Sequence, residues 1–501
     1  MGKNPVSQSS IFEYPVRYEL ELGLKSSTLR SPAIAINCGF HLQSTICNPM
    51  TSLPANRAKT LKEAYRACDV KPLTGDDMAR YYVDLSAVRN TEAIELVSTK
   101  LEYQNPGEFD TILFTGHRGC GKSTELKRIQ SRWENEYRVI YIEFDLELDV
   151  NDTEYTDLYL LFIKQLADDL TKLQLKFDPE ILKSFELWFK EVTKETEETV
   201  QSSVSIETEA SGGIEIPFIS KLTAKLIGQI RGSSQQKQVI RETLKRNTSR
   251  LLTDINLLFK DAFDKLRRKY PDRYEKGFLL IVDNLDRVNP EVGNHLFFDY
   301  NSQLQGLAST IIYTVPISVI YSDKNISNLF ESNLNIVPMV NIYEFNRSEC
   351  DLDHNQQKLD GVASLIEQRI DVAAIFADRE QLLQLVKASG GHVRQLMQIT
   401  RSACLTATTR KHPKILAEDV TYALKQQQFD FERSTPTPEY YTTLAQVCIK
   451  KDIAKDAMGQ KLLFNLSVLE YNGSSRWNYV NPLVKQSYAF QQALASIQGN
   501  P

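Results

Sequence analysis

The stretch Thr111-Ile-Leu-Phe-Thr-Gly-His-Arg-Gly-Cys-Gly-Lys-Ser-Thr124 decides the fold of this chain. Its first five residues are a short apolar run that predicts a buried strand, and Gly116 to Ser123 then spell G-x-x-x-x-G-K-S. The following residues have a helical pattern, with apolar side chains on one face at Leu126, Ile129 and Trp133. A strand, a glycine-rich turn and a helix in this order predict a phosphate-binding loop, because backbone N–H groups and the helix N-terminus can surround an anion there.

Each residue of this loop is a candidate ligand of a nucleoside triphosphate. Lys122 can reach the β- and γ-phosphates, and the Ser123 hydroxyl can ligate Mg²⁺. The sequence therefore predicts a site for ATP with Mg²⁺. The candidate binding residues are Gly116, His117, Arg118, Gly119, Cys120, Gly121, Lys122, Ser123 and Thr124.

A second carboxylate for the metal should follow a buried strand beside the loop. The apolar run 278–282 is followed directly by Asp283, which is the Walker B pattern. We expect Asp283 and Ser123 to hold the metal together. The alternative interpretation of Asp283 is an ordinary strand-end residue that caps a turn.

Hydrolysis also needs a group that orients or deprotonates water. Many P-loop ATPases have Glu after the Walker B Asp, whereas this chain has Asn284, whose amide can hold a water but cannot accept its proton. Asp286 is the best substitute base, and Glu143 is a second candidate. The sequence therefore predicts either slow hydrolysis or a catalytic role for Asp286.

Two further residues are candidate sensors of the nucleotide. Thr314 ends the apolar run 309–314, and a polar side chain at such a strand end can sense a γ-phosphate. Arg394 lies one turn into a helix that follows Gly390-Gly391, and its guanidinium can reach the phosphates from a mobile lid. The alternatives are an ordinary strand-end threonine and a surface arginine.

Composition narrows the class of protein. The chain has 501 residues, 42% of them hydrophobic, and a formal net charge of −5, so it is long enough for several domains and shows no global basic field for nucleic acid. No apolar run has the length of a membrane span, and the N-terminus lacks the apolar region of a signal peptide. Seven scattered cysteines without a C-x-x-C pair argue against a disulfide framework and for a cytoplasmic protein.

Pattern changes along the chain predict four parts. Residues 1–55 are an extension, poorly ordered or accessory, and Met50 is an alternative start. Residues 56–350 alternate strands and helices as a P-loop core, in which 147–276 is a long insertion. Residues 351–432 predict an all-α lid, and 439–497 predict two helices and a hairpin around Asn472-Gly473, the outline of a winged helix.

Several elements of the core follow from periodicity. We expect strands at 81–85, 110–115, 138–144, 278–282, 309–314 and near 336–340. Within the insertion, the sequence predicts a hairpin at 204–216, a helix over 218–230 and one long helix over about 235–269. The helix over 218–230 either packs within the molecule or binds a membrane surface or a partner.

The motifs resemble the ASCE branch of P-loop ATPases, especially its AAA+, STAND and KAP groups. Gly116 to Thr124 looks like their P-loop, and Val282 to Arg287 is similar to a KAP-type Asp-Asp-Leu-Asp-Arg. Gly391 to Arg394 resembles the sensor-2 segment of origin-recognition-like AAA+ proteins. The resemblance implies a three-layer α/β sandwich with a mostly parallel sheet, a sensor strand between the P-loop and Walker B strands, and a helical lid over the nucleotide.

Two departures from these families affect the functional interpretation. Asn284 replaces the usual acidic residue, and residues 321–335, where AAA+ rings carry a trans-acting arginine, offer only Lys324 as a cation. A motor ring is therefore disfavoured unless Arg287 or Arg347 acts across an interface.

Three functions remain open from the sequence. The leading one is an ATP-dependent conformational and assembly switch, with a homo-oligomer or an effector protein as partner and, by resemblance, a role in bacterial signalling or antiviral defence. The second is a DNA-handling AAA+ ATPase that reads DNA with its winged helix, through Arg476, Trp477 and nearby lysines. The third is a scaffold that binds ATP without hydrolysing it.

Overall fold

The computed structural model describes residues 56–194, 216–232, 234–331, 333–435 and 437–499. The predicted N-terminal extension, and residues 204–215 of the predicted hairpin, lie outside these ranges. Within them, no helix combines the length and the hydropathy that a membrane span needs.

A five-stranded parallel sheet forms the centre of the molecule. Its strand order is β2-β3-β4-β1-β5, so the strand that ends in Thr314 and Pro316 separates the P-loop strand from the Walker B strand, as expected. The strands are β1 Thr111–Gly116, β2 Arg138–Glu143, β3 Phe278–Asp283, β4 Thr310–Pro316 and β5 Leu334–Ile336.

Both faces of this sheet are covered. β1, β3 and β4 are buried along their whole length, which explains their continuous apolar sequences. Alternate residues enter two separate cores: Phe114 and Ile281 pack on the lid side, whereas Leu113 and Leu280 pack on the insertion side. The chain therefore has the three-layer α/β fold predicted from its sequence.

Four helices precede β1, and the predicted strand at 81–85 is wrong. Residues 75–81 are helical instead, and 82–85 continue as irregular chain. Tyr82 and Val83 carry the apolar pattern of a strand because they cover the P-loop helix and its neighbouring cavity. The helices are Leu61–Ala67, Gly75–Tyr81, Ser86–Arg89 and Ala93–Tyr103.

The insertion is a helical unit on the other face of the sheet. Leu222, Leu226 and Ile230 are buried, and their helix packs on Tyr155–Lys172, so the intramolecular interpretation of 218–230 is confirmed. The long helix expected over 235–269 is two helices that meet at Asn247, a residue with weak helix propensity. The described helices are Tyr155–Lys172, Pro179–Lys194, Ile216–Gly232, Ser234–Arg246 and Thr248–Lys269.

Short helical segments connect the core strands. A single 3₁₀ turn, Leu285–Arg287, follows β3, and a π-helical turn covers His295–Asp299. The remaining short helices are Phe144–Glu147, Pro290–Asn294, Asn301–Gln305, Ile317–Ile320 and Ile326–Leu329.

The lid is entirely helical in its described residues, as predicted. Its helix at 379–389 ends at Gly390, whose φ of 59° is left-handed, and the next helix begins after His392. The helices are Gln356–Glu367, Val372–Ile375, Arg379–Ser389, Val393–Thr409 and Ala417–Ser434.

The C-terminal unit combines helices with an antiparallel hairpin, as in a winged helix. Its strands β6 Val468–Tyr471 and β7 Trp477–Val480 pair with Tyr471 opposite Trp477, so the connecting loop runs from 472 to 476 rather than being a two-residue Asn-Gly turn. The helices are Pro438–Lys450, Ala457–Phe464, Pro482–Lys485 and Tyr488–Gln498. The described residues form one compact unit, and the internal boundaries at 350, 432 and 439 stay predictions.

Candidate functional site

The glycine-rich loop joins β1 to the helix Lys122–Trp133 in a conformation that depends on glycine. Gly119 has φ +82° and Gly121 has φ +112°, backbone angles that side chains disfavour. Gly121 is also the N-cap of the helix, so the unpaired N–H groups of the first turn face the loop. This geometry is that of an anion cradle.

Lys122 is buried and fully bonded within the site. Its Nζ donates to the carbonyl oxygens of Gly116 at 2.7 Å and His117 at 2.9 Å, and it forms an ion pair of 2.8 Å with Asp286. Burial acts to lower the pKa of Lys122, but the carboxylates of Asp286 and Asp283 outweigh it and raise the pKa. Lys122 is therefore charged, and it must exchange these partners to bind phosphate.

Asp283 and Ser123 lie together, as the metal prediction requires. The Ser123 hydroxyl hydrogen-bonds to the Asp283 carboxylate, which also accepts from Tyr141 Oη at 2.7 Å and from the Asn284 amide at 2.8 Å. Burial and the neighbouring Asp286 raise the pKa of Asp283. A carboxylate and a hydroxyl at the edge of a phosphate cradle are a donor set that suits Mg²⁺.

The residues after Asp283 form a tight turn beside the loop. Asn284 adopts φ +66°, which asparagine tolerates better than most residues, and it lines the central cavity with Asp286. Thr314 is fully buried: its hydroxyl donates to the Val282 carbonyl and accepts from the Asp286 amide. It does not line the cavity, so a sensor role for Thr314 stays a prediction and would act through Asp286.

The lid contacts the loop directly. His392 Nε2 donates to the Arg118 carbonyl at 2.6 Å, and the Arg394 amide donates to the Gly119 carbonyl at 3.1 Å. His392 Nδ1 meanwhile accepts from Gln395 N and caps the helix that carries Arg394. The Arg394 side chain lines the cavity, as the lid prediction requires.

The C-terminal hairpin also contacts the loop. The Glu470 amide in β6 donates to His117 Nε2 at 2.8 Å, and Tyr471 Oη donates to the Gly390 carbonyl of the lid at 2.6 Å. The Glu470 carboxylate accepts from Tyr321 of the core, whose hydroxyl in turn accepts from Arg476 Nη1 at 2.6 Å. Core, lid and hairpin thus meet at the P-loop.

A cavity of about 880 Å³, including its open mouth, lies between the loop, the lid and the chain before β1. This volume is within the range of small-molecule sites, about 300–1,000 Å³. Its far end is apolar, with Val83, Leu365 and Met397 among its lining residues, and suits a nucleobase. Seven of the nine predicted loop residues, Arg118 to Thr124, line it, whereas Gly116 and His117 do not.

The loop end of the cavity is rich in cations. Arg118, Arg287 and Arg394 line it together with Lys122. Burial and then the charge of Arg287 lower the pKa of Arg394, which Asp286 only partly offsets. Such a cluster is stabilised by an anion of several charges, which a triphosphate supplies.

Sequence reasoning missed Arg89. Its side chain is buried in the cavity wall, Nη2 donates to the Cys120 carbonyl, and its Nε has no hydrogen-bond partner among the described residues. Nothing in the local sequence, a short helix of mixed composition, marks this arginine. Tyr141, the hydroxyl partner of Asp283, was missed because it has the appearance of an ordinary strand residue.

The other candidates lie further from the cavity. Glu143 is exposed at the end of β2, in register with Asp283, and does not line the cavity. Arg287 pairs with Asp145 and lines the cavity of its own chain, so it faces the nucleotide site in cis. Lys324 is paired with Asp299 at 3.3 Å.

Comparison with known proteins supports the same site. Residues 90–304 match the family described as the KAP family P-loop domain. This range contains the P-loop and Asp283, so the chain contains a P-loop NTPase domain of the KAP family. No curated protein matches the sequence.

Solved structures of similar fold include three archaeal proteins. Cdc6p from Pyrobaculum aerophilum is 10% identical, with 85% of this chain and 100% of that chain covered and a TM-score of 0.36. The Walker-type ATPase PABY2304 of Pyrococcus abyssi is 13% identical, with 85% and 99% covered and a TM-score of 0.38. The ORC1 protein of Aeropyrum pernix in complex with DNA is 13% identical, with 86% and 96% covered and a TM-score of 0.34. At such low identities and TM-scores these likenesses carry no functional conclusion.

Proposed function

We propose that this protein is an ATP-binding regulatory ATPase whose nucleotide state controls the position of its lid and C-terminal hairpin. One observation carries the proposal: three consecutive P-loop residues are bonded to the moving parts. His117 is bonded to the hairpin, and the carbonyls of Arg118 and Gly119 are bonded to the lid. A change in loop conformation therefore alters contacts with both units at once.

Lys122 links nucleotide binding to this rearrangement. Its amine now bonds to the loop carbonyls of Gly116 and His117. When Lys122 turns toward phosphate oxygens, the His117 carbonyl loses its partner and Asp286 loses its counter-ion. Since His117 also accepts the bond from Glu470, the change reaches the hairpin through a single residue.

The metal would be held by Ser123 and Asp283, which already lie within hydrogen-bond distance of each other. Bound Mg²⁺ supplies charge stabilisation to the phosphates during their transfer. Tyr141 would orient the Asp283 carboxylate through its 2.7 Å hydrogen bond.

Slow hydrolysis is the activity that the remaining residues favour. Asn284 can orient a water through its amide, and Asp286 can accept the proton once Lys122 has moved away. In the ion pair, Asp286 is a weaker base, because the positive charge of Lys122 stabilises its carboxylate. Turnover is therefore coupled to the rearrangement of Lys122, which suits a switch better than a motor.

Hydrogen exchange with and without Mg²⁺-ATP tests the switch. We expect ATP to change the protection of residues 389–396 and 468–480 in the wild type but not in Lys122→Ala. Lys455→Ala removes an exposed lysine of the C-terminal unit and should respond like the wild type. Equal protection in both segments with and without saturating ATP would refute the proposal.

Self-assembly is the proposed outcome of the ATP-bound state, with an effector protein as the alternative partner. Mass photometry should show a larger species with ATP than with ADP. The same monomer mass in both states would reject assembly but leave the intramolecular switch to be judged by hydrogen exchange.

Binding of DNA through the C-terminal unit is less favoured by the contacts of its hairpin. Trp477 is fully buried and stacks on Tyr471, with ring centroids 4.6 Å apart. Arg476 bonds to Tyr321 and pairs with Asp452. Both residues thus have intramolecular roles. Salt-dependent binding to duplex DNA that is lost in Arg476→Glu would reverse this preference.

A further inference from the structure

Two cysteines that are 98 positions apart in the sequence lie side by side at the junction of three units. Cys350 belongs to the segment that leads from the core to the lid, and Cys448 belongs to the C-terminal helix Pro438–Lys450. Their Sγ atoms are 2.7 Å apart, and Cys448 Sγ also lies 3.3 Å from the Cys350 carbonyl oxygen. This separation is much closer to a covalent S–S bond, about 2.0 Å, than two unrelated side chains require.

The C-terminal unit fixes the backbone on both sides of Cys350. Lys451 Nζ donates to the Glu349 carbonyl at 2.5 Å, and Tyr479 Oη donates to the carbonyl of Cys350 itself at 2.6 Å. Lys485 Nζ donates to the Asp351 carboxylate at 2.5 Å. Three residues of the C-terminal unit thus position Cys350 against Cys448, so the pairing of the sulfurs does not depend on a mobile segment.

The two thiols have complementary chemistry. Cys350 is partly exposed, and the hydrogen bond from Cys448, with help from the charges of Lys485 and Lys451, lowers the pKa of Cys350 to about 7. Cys448 is buried, and its hydrogen bond to Cys350 together with burial raises its pKa. An accessible thiolate next to a buried thiol is the arrangement of an attacking and a resolving cysteine.

We infer that Cys350 and Cys448 are an oxidative modification site, which a small-molecule disulfide converts into an intramolecular disulfide bond. The Cys350 thiolate attacks one sulfur of the oxidant RSSR, forms a mixed disulfide and releases RS⁻. Cys448 then loses its proton and attacks Cys350 Sγ, which displaces the second RS⁻. The oxidant gains the two electrons that the dithiol loses, and the products are one protein disulfide and two RSH.

The bond would lock the C-terminal unit onto the core. It joins Pro438–Lys450 to the connector at Cys350, while Glu470 of the same unit contacts His117 in the P-loop. This consequence rests on the proposed function, since a locked hairpin matters only if nucleotide moves it. Oxidation would then hold the switch in its docked state whatever nucleotide is bound.

Peptide mapping tests the modification independently of ATP. The full-length protein is treated with oxidised glutathione, remaining thiols are alkylated, and the protein is digested with trypsin. We expect a linked pair of peptides, Ser348–Lys358 and Ser434–Lys450, with a mass two hydrogens below the sum of the free peptides. The pair should return to free peptides after reduction.

Matched variants make the mapping decisive. Cys350→Ser and Cys448→Ser should each abolish the linked pair, whereas Cys404→Ser, which removes a buried thiol of the lid, should leave it unchanged. Cys350→Ser alters a partly exposed position, so it tests the pairing even if the buried Cys448→Ser variant fails to fold. Absence of the pair, or glutathione retained stably on Cys350 in the wild type, would overturn the inference.

Hydrogen exchange on the oxidised protein tests the lock. Oxidised wild type should lose the ATP response of residues 468–480, and reduction should restore it, whereas Cys350→Ser should respond to ATP under both conditions. An undiminished response in oxidised protein that carries the linked pair would refute the lock. If reduced protein shows no ATP response, the proposed switch fails, while the linked peptides still decide the disulfide.

Discussion

Replacing Gly119 by alanine would separate the lid from the P-loop without removing any functional side chain. A Cβ built on Gly119 lies 2.6 Å from Arg394 Cβ and 2.8 Å from His392 Cε1, closer than packed atoms approach. Both neighbours belong to the lid, and its first helical turn must move away to make room. The variant therefore weakens the docked state of the lid selectively.

The size of the effect follows from two contributions. The left-handed backbone of Gly119 costs an alanine about 1–2 kcal/mol, but this strain is present whether or not the lid is docked. Overpacking of the contact costs a further ~1–3 kcal/mol, and only in the docked state. At about 1.4 kcal/mol per factor of ten, the docking equilibrium should shift by roughly 5- to 140-fold toward the open lid.

Gly121→Ala is the matched control. Gly121 is also left-handed, at φ +112°, but its Cβ would meet only Arg89 Nη2 at 3.4 Å, an ordinary contact. It carries the backbone strain in the same loop without the clash against the lid. Both variants should unfold cooperatively at temperatures below that of the wild type.

Amide hydrogen exchange of residues 389–396 without nucleotide is the assay. The Arg394 amide, which is bonded to the Gly119 carbonyl, should exchange faster in Gly119→Ala in proportion to the opened lid and much less so in Gly121→Ala. Equal exchange in the two variants would refute the reasoning, because the lid contact would then contribute nothing beyond loop strain.

Three further predictions concern the cavity and its histidines. Arg89→Ala removes a charge-assisted bond to the loop, worth about 1.5–3 kcal/mol, and should weaken nucleotide binding by roughly 10- to 100-fold in a fluorescent-nucleotide titration, with Arg89→Lys between it and the wild type. Asp286→Asn removes both the candidate base and the ion pair of Lys122, so phosphate release should fall by about 10²-fold or more while ATP affinity is kept or improved; unchanged turnover would exclude Asp286 as the base. Burial lowers the pKa of His117 to about 3 and that of His392 to about 4, so the stability of their uncharged forms is full above pH 6.5 and is lost as pH falls. The unfolding temperature should drop between pH 7 and pH 5, and it should drop less in His117→Gln; parallel pH profiles would contradict this.

The fold was predictable where local pattern and topology agree. The P-loop, its strand and its helix form one continuous stretch, and a long apolar run ending in Asp283 has few other places in a parallel sheet. The strand order followed from the family resemblance and is confirmed. The strand expected at 81–85 failed because Tyr82 and Val83 are apolar for a different reason, since they line the cavity and contact the P-loop helix.

Contacts between distant segments were not predictable from local sequence. Arg89 reaches the P-loop from a stretch without a motif, and Tyr141 reaches Asp283 only because β2 and β3 pair in register. The cysteines at 350 and 448 carry no spacing signal, so the sequence predicted scattered thiols where the fold places two sulfurs in contact. In each case the decisive information is tertiary.

The bond from Glu470 to His117 has a consequence for synthesis of the protein. The two residues are 353 positions apart, so the P-loop leaves the ribosome long before its partner in the hairpin exists. At about 5–20 residues per second, the delay is roughly 20–70 seconds. Throughout this interval the nascent chain can already cradle a phosphate but cannot transmit its presence to the hairpin. Nucleotide binding therefore precedes nucleotide signalling in the life of each molecule, and ATP is available as a folding ligand before it acts as a signal.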